Sequence, residues 1–214
     1  MLPRVASLLA SGDHKAVNKM HQMSFLIYNL VIFPIIAGML IVNDDFVRFF
    51  LGKDFQDARY AIAIMIFRMF FIGWTNIMGI QILIPHDKNK EFMLSTTIPA
   101  IVSVGLNVLF LPHFGFIGAA IVSVLTESLV WLIQLYYTRH YLREVPIIGS
   151  MTKIIFASAV MYGLLLLIKP FLHFTPTLNV LVYAVLGGII YLIAILSLRV
   201  VDVKELKQQF LNKQ

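Results

Sequence analysis

Residues Asn107 to Glu127 read N-V-L-F-L-P-H-F-G-F-I-G-A-A-I-V-S-V-L-T-E. Two apolar runs meet at Pro112-His113-Phe114-Gly115, a turn that carries no Lys or Arg. Gly118, Ala119 and Ala120 follow, small enough for another backbone to lie against them. Glu127 then falls well inside the second apolar run. This pattern predicts a tight hairpin of two membrane-spanning helices, and the remaining spans are placed around it.

Composition supports the same class. Of 214 residues, 59% are apolar and 13% charged, with a mean hydropathy of +0.86. An ordinary soluble domain is about a quarter charged, so this chain lacks the charge to cover a water-facing surface. With no cysteine, a disulfide framework and a thiolate metal site are excluded. The net charge of +6 would suggest nucleic acid in a soluble protein. Here the basic residues sit in short loops between apolar runs, where they act as topology signals, and no nucleic-acid partner is expected. The first twenty residues are mixed polar, with Arg4, Asp13, His14 and Lys15, unlike a cleavable secretion signal.

Residues 1–22 are expected to form an amphipathic cytoplasmic segment. Leu2, Val5, Leu8 and Leu9 fall at helical spacing. Ser11-Gly12-Asp13 breaks the pattern, and Asp13 is placed to cap a second helix. Six apolar runs follow, at 23–42, 60–84, 93–111, 117–137, 152–169 and 177–198. Crossing about 30 Å of hydrocarbon takes roughly 20 helical residues, and none of these runs alternates as a membrane barrel requires. The fold class predicted is an all-α polytopic membrane helix bundle of six spans over 23–198, ending in a basic tail, 199–214. In the loop 43–59, acids alternate with aromatics, which suggests a short helix at the outer interface. The tail sets Val203, Leu206 and Phe210 on one helical face and Lys on another, suiting an anionic inner leaflet.

Lys and Arg counts orient the bundle. Arg4, Lys15 and Lys19, Lys88 and Lys90, Arg139, Arg143 and Lys153, and Arg199, Lys204, Lys207 and Lys213 fall on one side. The other side holds Arg48, Lys53, Arg59 and Lys169. The positive-inside rule then puts both termini in the cytoplasm, as an even number of spans requires.

Two charges fall inside spans. Arg68 in the second and Glu127 in the fourth lie at depths of roughly 12–15 Å from the outer end. Charges this deep are costly and face a bundle interior or a wet cavity. They read either as a substrate site, with Arg68 meeting an anionic group and Glu127 orienting it or replacing that group at rest, or as a structural ion pair, or as an arginine that snorkels outward. Asn76, Gln81, Asn107 and Gln134 are also polar within spans. They serve either to bond helices together or to line a polar path, and Asn76 and Asn107 join Arg68 and Glu127 as candidate substrate-binding residues. Pro34 and Pro99 interrupt spans, as do Gly187 and Gly188; interrupted helices mark substrate sites in some transporters and simple packing in others. Ala119-x-x-x-Ser123, Ala159-x-x-x-Gly163 and Ala184-x-x-x-Gly188 suit close helix contact. No metal-ligand pair, nucleophile elbow or phosphate-cradling glycine loop is present. Neither an enzyme nor a bound cofactor is expected.

Several segments resemble polysaccharide flippases of the polysaccharide transporter (oligosaccharide repeat-unit translocase) family, relatives of multidrug exporters of the MATE type and of lipid II flippases. Leu2-Pro3-Arg4 with Ser7 and Gly12-Asp13 is similar to the family's L-P-R-x-S segment. Pro34 and Gly38 match a P-x-x-x-G, and Phe50-Leu51-Gly52 with Phe55 and Ala58 matches an outer L-F-G-x-x-F-x-x-A loop. Asn107, Pro112 and Gly115-x-x-Gly118-Ala119-Ala120 resemble the family's N-x-x-x-x-x-P-x-x-G-x-x-G-A-A segment. The resemblance covers about residues 2–140; the last two spans match only in hydropathy.

The family has twelve to fourteen spans in two lobes, so the resemblance implies a C-terminal half whose missing N-terminal lobe supplies much of a central cavity. It further implies movement of lipid-linked oligosaccharide across the cytoplasmic (inner) membrane for surface polysaccharide, including lipopolysaccharide, with the lipid bilayer and that substrate as partners. An ion-coupled multidrug or small-solute exporter of the same superfamily, and more remotely a membrane glycan polymerase or acyltransferase, are the rival readings.

Overall fold

The computed structural model describes residues 2–172 and 174–200. Among the described residues every regular element is helical. They are α1 (Leu2–Ala10), α2 (His14–Phe50), α3 (Ala58–Asn76), α4 (Asn89–Leu142), α5 (Ile148–Ile168) and α6 (Pro176–Ser197). The tail expected to carry Val203, Leu206 and Phe210 lies outside the described residues. Five helical stretches are long and apolar enough to cross a membrane: His14–Phe50, Ala58–His86, Asn89–Leu142, Ile148–Phe171 and Pro176–Ser197. They make this a multi-pass membrane protein, and its many exposed Leu, Ile, Val and Phe side chains suit contact with acyl chains.

Gly12, at φ 73, ends α1, and Asp13 caps α2, its carboxylate accepting the Ala16 N–H at 3.0 Å. Asp13→Ala is expected to fray this first turn at a cost of about 1 kcal/mol. Amide hydrogen exchange at Ala16 should quicken about fivefold while exchange deeper in α2 stays unchanged.

Helix α2 continues past the expected boundary at 42 through Asn43-Asp44-Asp45 to Phe50. Its polar side chains there find partners on neighbouring elements. Asn43 Nδ2 donates to the Arg59 carbonyl at 2.7 Å, Arg59 pairs with Asp44 at 3.1 Å, and Asn179 Nδ2 donates to Asp45 at 3.2 Å. Further back along α2, Lys169 Nζ donates to the Ile41 carbonyl at 3.0 Å. Pro34 and Pro99 both sit within continuous helix, so neither marks an unwound segment.

The sharpest feature is the fold of α4 upon itself. Its one non-helical residue is Gly115, at φ 53 and ψ −136, a conformation open essentially to glycine alone. Gln134 Nε2 donates to Ser95 Oγ at 3.2 Å, although 39 residues of straight helix would hold them about 58 Å apart. A Cβ on Gly118 would lie 2.7 Å from the Phe110 carbonyl oxygen. Both contacts centre on Gly115, so the two arms lie antiparallel, as the opening stretch predicts. The break falls on that single residue: Pro112, His113 and Phe114 finish the first arm as helix.

Helix α2 is the central element. One cluster joins it to α5 and α6 through Ile41, Val42, Ile154, Met161, Leu165 and Tyr183. A second joins it to α3 and the returning arm of α4 through Phe25, Trp74, Ile77, Met78 and Trp131. Two buried or part-buried hydrogen bonds lock these contacts: Trp74 Nε1 to Asn29 Oδ1 at 3.0 Å and Tyr191 OH to the Leu30 carbonyl at 2.8 Å. Close approach of α5 and α6 occurs at Gly187, where a Cβ would meet Leu165 at 3.2 Å. Gly163 and Gly188, the glycines of the expected small-residue pairs, face open space.

Beyond Asn76 the third helix changes pitch. Ile77–Leu83 is π-helical and Ile84–His86 is 3₁₀, before Asp87 turns the chain at φ 56. Side chains of α2 brace the π turn. His21 Nε2 lies 3.1 Å from the Gln81 carbonyl, to which it donates, and Ser24 Oγ donates to Gln81 Oε1 at 2.7 Å. Gln81 and Gln134 thus bond helices together.

Candidate functional site at the α3–α4 contact

Helix α3 and the returning arm of α4 run parallel. Phe71 packs on Trp131 at 5.7 Å between ring centroids, and further along Gly79 faces Gln134. In this register Arg68 and Glu127 meet, with Arg68 Nη2 3.5 Å from Glu127 Oε2. The second carboxylate oxygen lies 3.2 Å from Thr75 Oγ1. That hydroxyl also lies 2.9 Å from the Ile72 carbonyl, and its single hydrogen serves one acceptor at a time.

Thr75 was not among the candidates. Its signal is present in the sequence, because residues seven apart on a helix share a face. Arg68 and Thr75 therefore present to Glu127 together, two turns apart.

The contact is loose for a charged pair. Arg–carboxylate hydrogen bonds ordinarily close to about 2.7–2.9 Å and often engage two nitrogens. Here one nitrogen engages at 3.5 Å, and Arg68 Nε is buried without an acceptor. The side chains remain 38% exposed for Arg68 and 17% for Glu127. Arg68 lies about 15 Å from the start of α3, at hydrocarbon depth. Charged groups that deep in a span generally turn to other protein or to water, since contact with lipid tails is costly.

The other two candidates stand apart. Asn76 is exposed at the last residue of α3. Asn107 is on the outgoing arm of α4, where its Nδ2 donates to the Ser103 carbonyl at 2.9 Å within its own helix. Among the described residues neither bonds to the Arg68–Glu127 pair, and no group of three His, Cys, Asp or Glu side chains is arranged to hold a metal ion.

No family model matches the chain. Two curated relatives are distant. An uncharacterized membrane protein of Methanocaldococcus jannaschii is 23% identical over 97% of this chain and 40% of its own length. A protein of Escherichia coli K12 named "Putative O-antigen transporter" is 26% identical over 64% of this chain and 33% of its own length. The chain thus spans less than half the length of these two relatives. The similarities are to membrane proteins, one of them named as a transporter.

Proposed function

We propose that this chain is the C-terminal part of a transporter that flips lipid-linked oligosaccharide units across the cytoplasmic membrane for surface polysaccharide synthesis. Its role is transport rather than catalysis. The observation that carries this reading is the Arg68–Glu127 pair, its guanidinium part-exposed well inside a membrane-crossing helix, where a charge calls for protein or water beside it. Distant similarity to a protein named as an O-antigen transporter supports the substrate class.

In this proposal the folded helix α4 crosses twice, which makes six crossings, and the excess of Lys and Arg holds both ends inside. Arg68, Glu127, Asn76 and Asn107 border a central cavity. A second lobe, of the kind the greater length of the relatives leaves room for, closes its other side, and transport proceeds by rocking of the two lobes about that cavity.

Two measurements test this. Co-reconstituted with the remaining spans, the chain should move a fluorescent lipid-linked oligosaccharide across a vesicle membrane. Arg68→Ala at equal membrane level should slow that movement at least about tenfold, the worth of one lost charged contact. Alone in liposomes, residues 1–214 should move little or none. Export of cationic dyes with no movement of lipid-linked sugar would replace this reading with a drug exporter, and brisk flipping by the isolated chain would remove the second lobe from it.

A further inference from the structure

We propose that the Arg68–Glu127 pair is a displaceable lock. In it Glu127 holds the guanidinium in place of a phosphate-class oxyanion and gives way when that anion enters between α3 and α4. This rests on the reading that the α3–α4 face borders a cavity.

Four features of the contact point to exchange rather than permanent bonding. Arg68 carries five N–H donors, and the only acceptor it meets among the described residues is one Glu127 oxygen at 3.5 Å. Its Nε is buried and unpaired, a donor left open to a further acceptor. Glu127 is poorly held on its other side too, because Thr75 divides one hydrogen between Glu127 and the Ile72 carbonyl. Finally, 38% of the Arg68 side chain is open, so an incoming group has a route to it.

The chemistry selects the ligand. At rest the carboxylate cancels the arginine, so the site is neutral and a monoanion such as chloride gains little by entering. A phosphate or diphosphate presents several oxygens and more than one charge, and the Nε–Nη fork of arginine matches two of those oxygens at once. On arrival of the anion, Glu127 swings from Arg68 and keeps Thr75, whose hydroxyl lies on the far side of the carboxylate. The lock therefore prevents a bare guanidinium from standing unpaired at hydrocarbon depth between transport events, and it sets a threshold that weak anions do not pass.

The test measures binding directly. The full chain in zwitterionic nanodiscs is titrated with inorganic pyrophosphate by calorimetry. Glu127→Gln, which removes the competing charge and keeps the shape, should bind about tenfold more tightly than the wild type. Arg68→Lys keeps the charge without the fork and should bind at least about tenfold more weakly. A gel-filtration profile and tryptophan emission like those of the wild type certify the fold of each variant. Should Glu127→Gln fail that check, Thr75→Val serves instead: freed from the hydroxyl, Glu127 turns fully to Arg68 and binding weakens.

Equal affinity in wild type and Glu127→Gln, full binding by Arg68→Lys, or no binding by any variant would each overturn the lock. A second arm places a polyprenyl diphosphate in the nanodisc. Displacement of inorganic pyrophosphate by that lipid identifies a headgroup as the occupant, and its failure identifies a free phosphate. Exchange without any flipping in the reconstituted transporter would spare the lock and sink the transport reading; flipping without exchange would do the reverse.

Discussion

Gly118→Val is expected to destroy the folded hairpin of α4. A Cβ at Gly118 would lie 2.7 Å from the Phe110 carbonyl oxygen, 3.1 Å from the Phe110 carbonyl carbon and 3.0 Å from the Phe114 Cβ. Two of these atoms are backbone, inside a helix that cannot shift locally, so the arms must splay. Overpacking of a filled contact costs up to about 3 kcal/mol, and more where nothing can move. The protein has no cysteine, so the arms can be tethered cleanly. Ser95→Cys with Gln134→Cys should cross-link through a short bifunctional reagent when Gly118 is intact and fail to do so with valine there. Undiminished cross-linking would mean that the hairpin closes some other way.

Gly73→Ala is the second large effect. Its Cβ would fall on the Tyr28 ring, against Cζ and Cε2, with no space left between them. Tyr28 has little freedom to leave. Its hydroxyl donates to the Met69 carbonyl, and its ring packs on the cluster of Phe25, Trp74 and Met78. Alanine at 73 therefore separates α2 from α3, costing about 1–3 kcal/mol and lowering the yield of monodisperse protein in detergent. Tyr28→Ala should rescue it: in that background Gly73→Ala should be nearly silent. A double variant as unstable as Gly73→Ala alone would place the cause elsewhere.

The hairpin was legible from residue types, because only glycine takes the backbone that Gly115 adopts and only a very small residue fits at Gly118. The apolar runs were legible as membrane helices, since bilayer thickness sets their length. Helix ends were not. Asn43, Asp44 and Asp45 look like the start of a loop, yet α2 runs through them. The reason is tertiary: Arg59, on the next helix, and Asn179, far along the chain, supply the partners those side chains need. Proline misled in the same direction. Pro34 and Pro99 lie inside helices, while the real change of pitch, at Ile77–Leu83, contains no proline. What braces that segment, His21 and Ser24 from α2, is invisible to any local pattern.

At the candidate site, equal depth was enough to suggest that Arg68 and Glu127 could meet. Whether they did depended on the rotation of two helices about their axes, which packing such as that of Phe71 on Trp131 accompanies and no local pattern reveals. Thr75 follows from helical periodicity once Arg68 is chosen. The separation of Asn107 from the pair follows from hairpin register, a quantity that needs the position of the turn to the residue.

The bond between Ser95 and Gln134 carries a consequence for biogenesis. Both side chains are sealed from solvent, at 0% and 1% exposure, and the Gln134 amide donates to the Ser95 hydroxyl on the opposite arm. Ser95 also bonds within its own arm, its hydroxyl donating to the Phe92 carbonyl at 2.7 Å, so it is the Gln134 amide of the returning arm that would be left bare were that arm released singly from the insertion machinery. The returning arm should therefore leave that machinery against its predecessor, folded back at Gly115, with the Ser95 hydroxyl already in place to receive the amide.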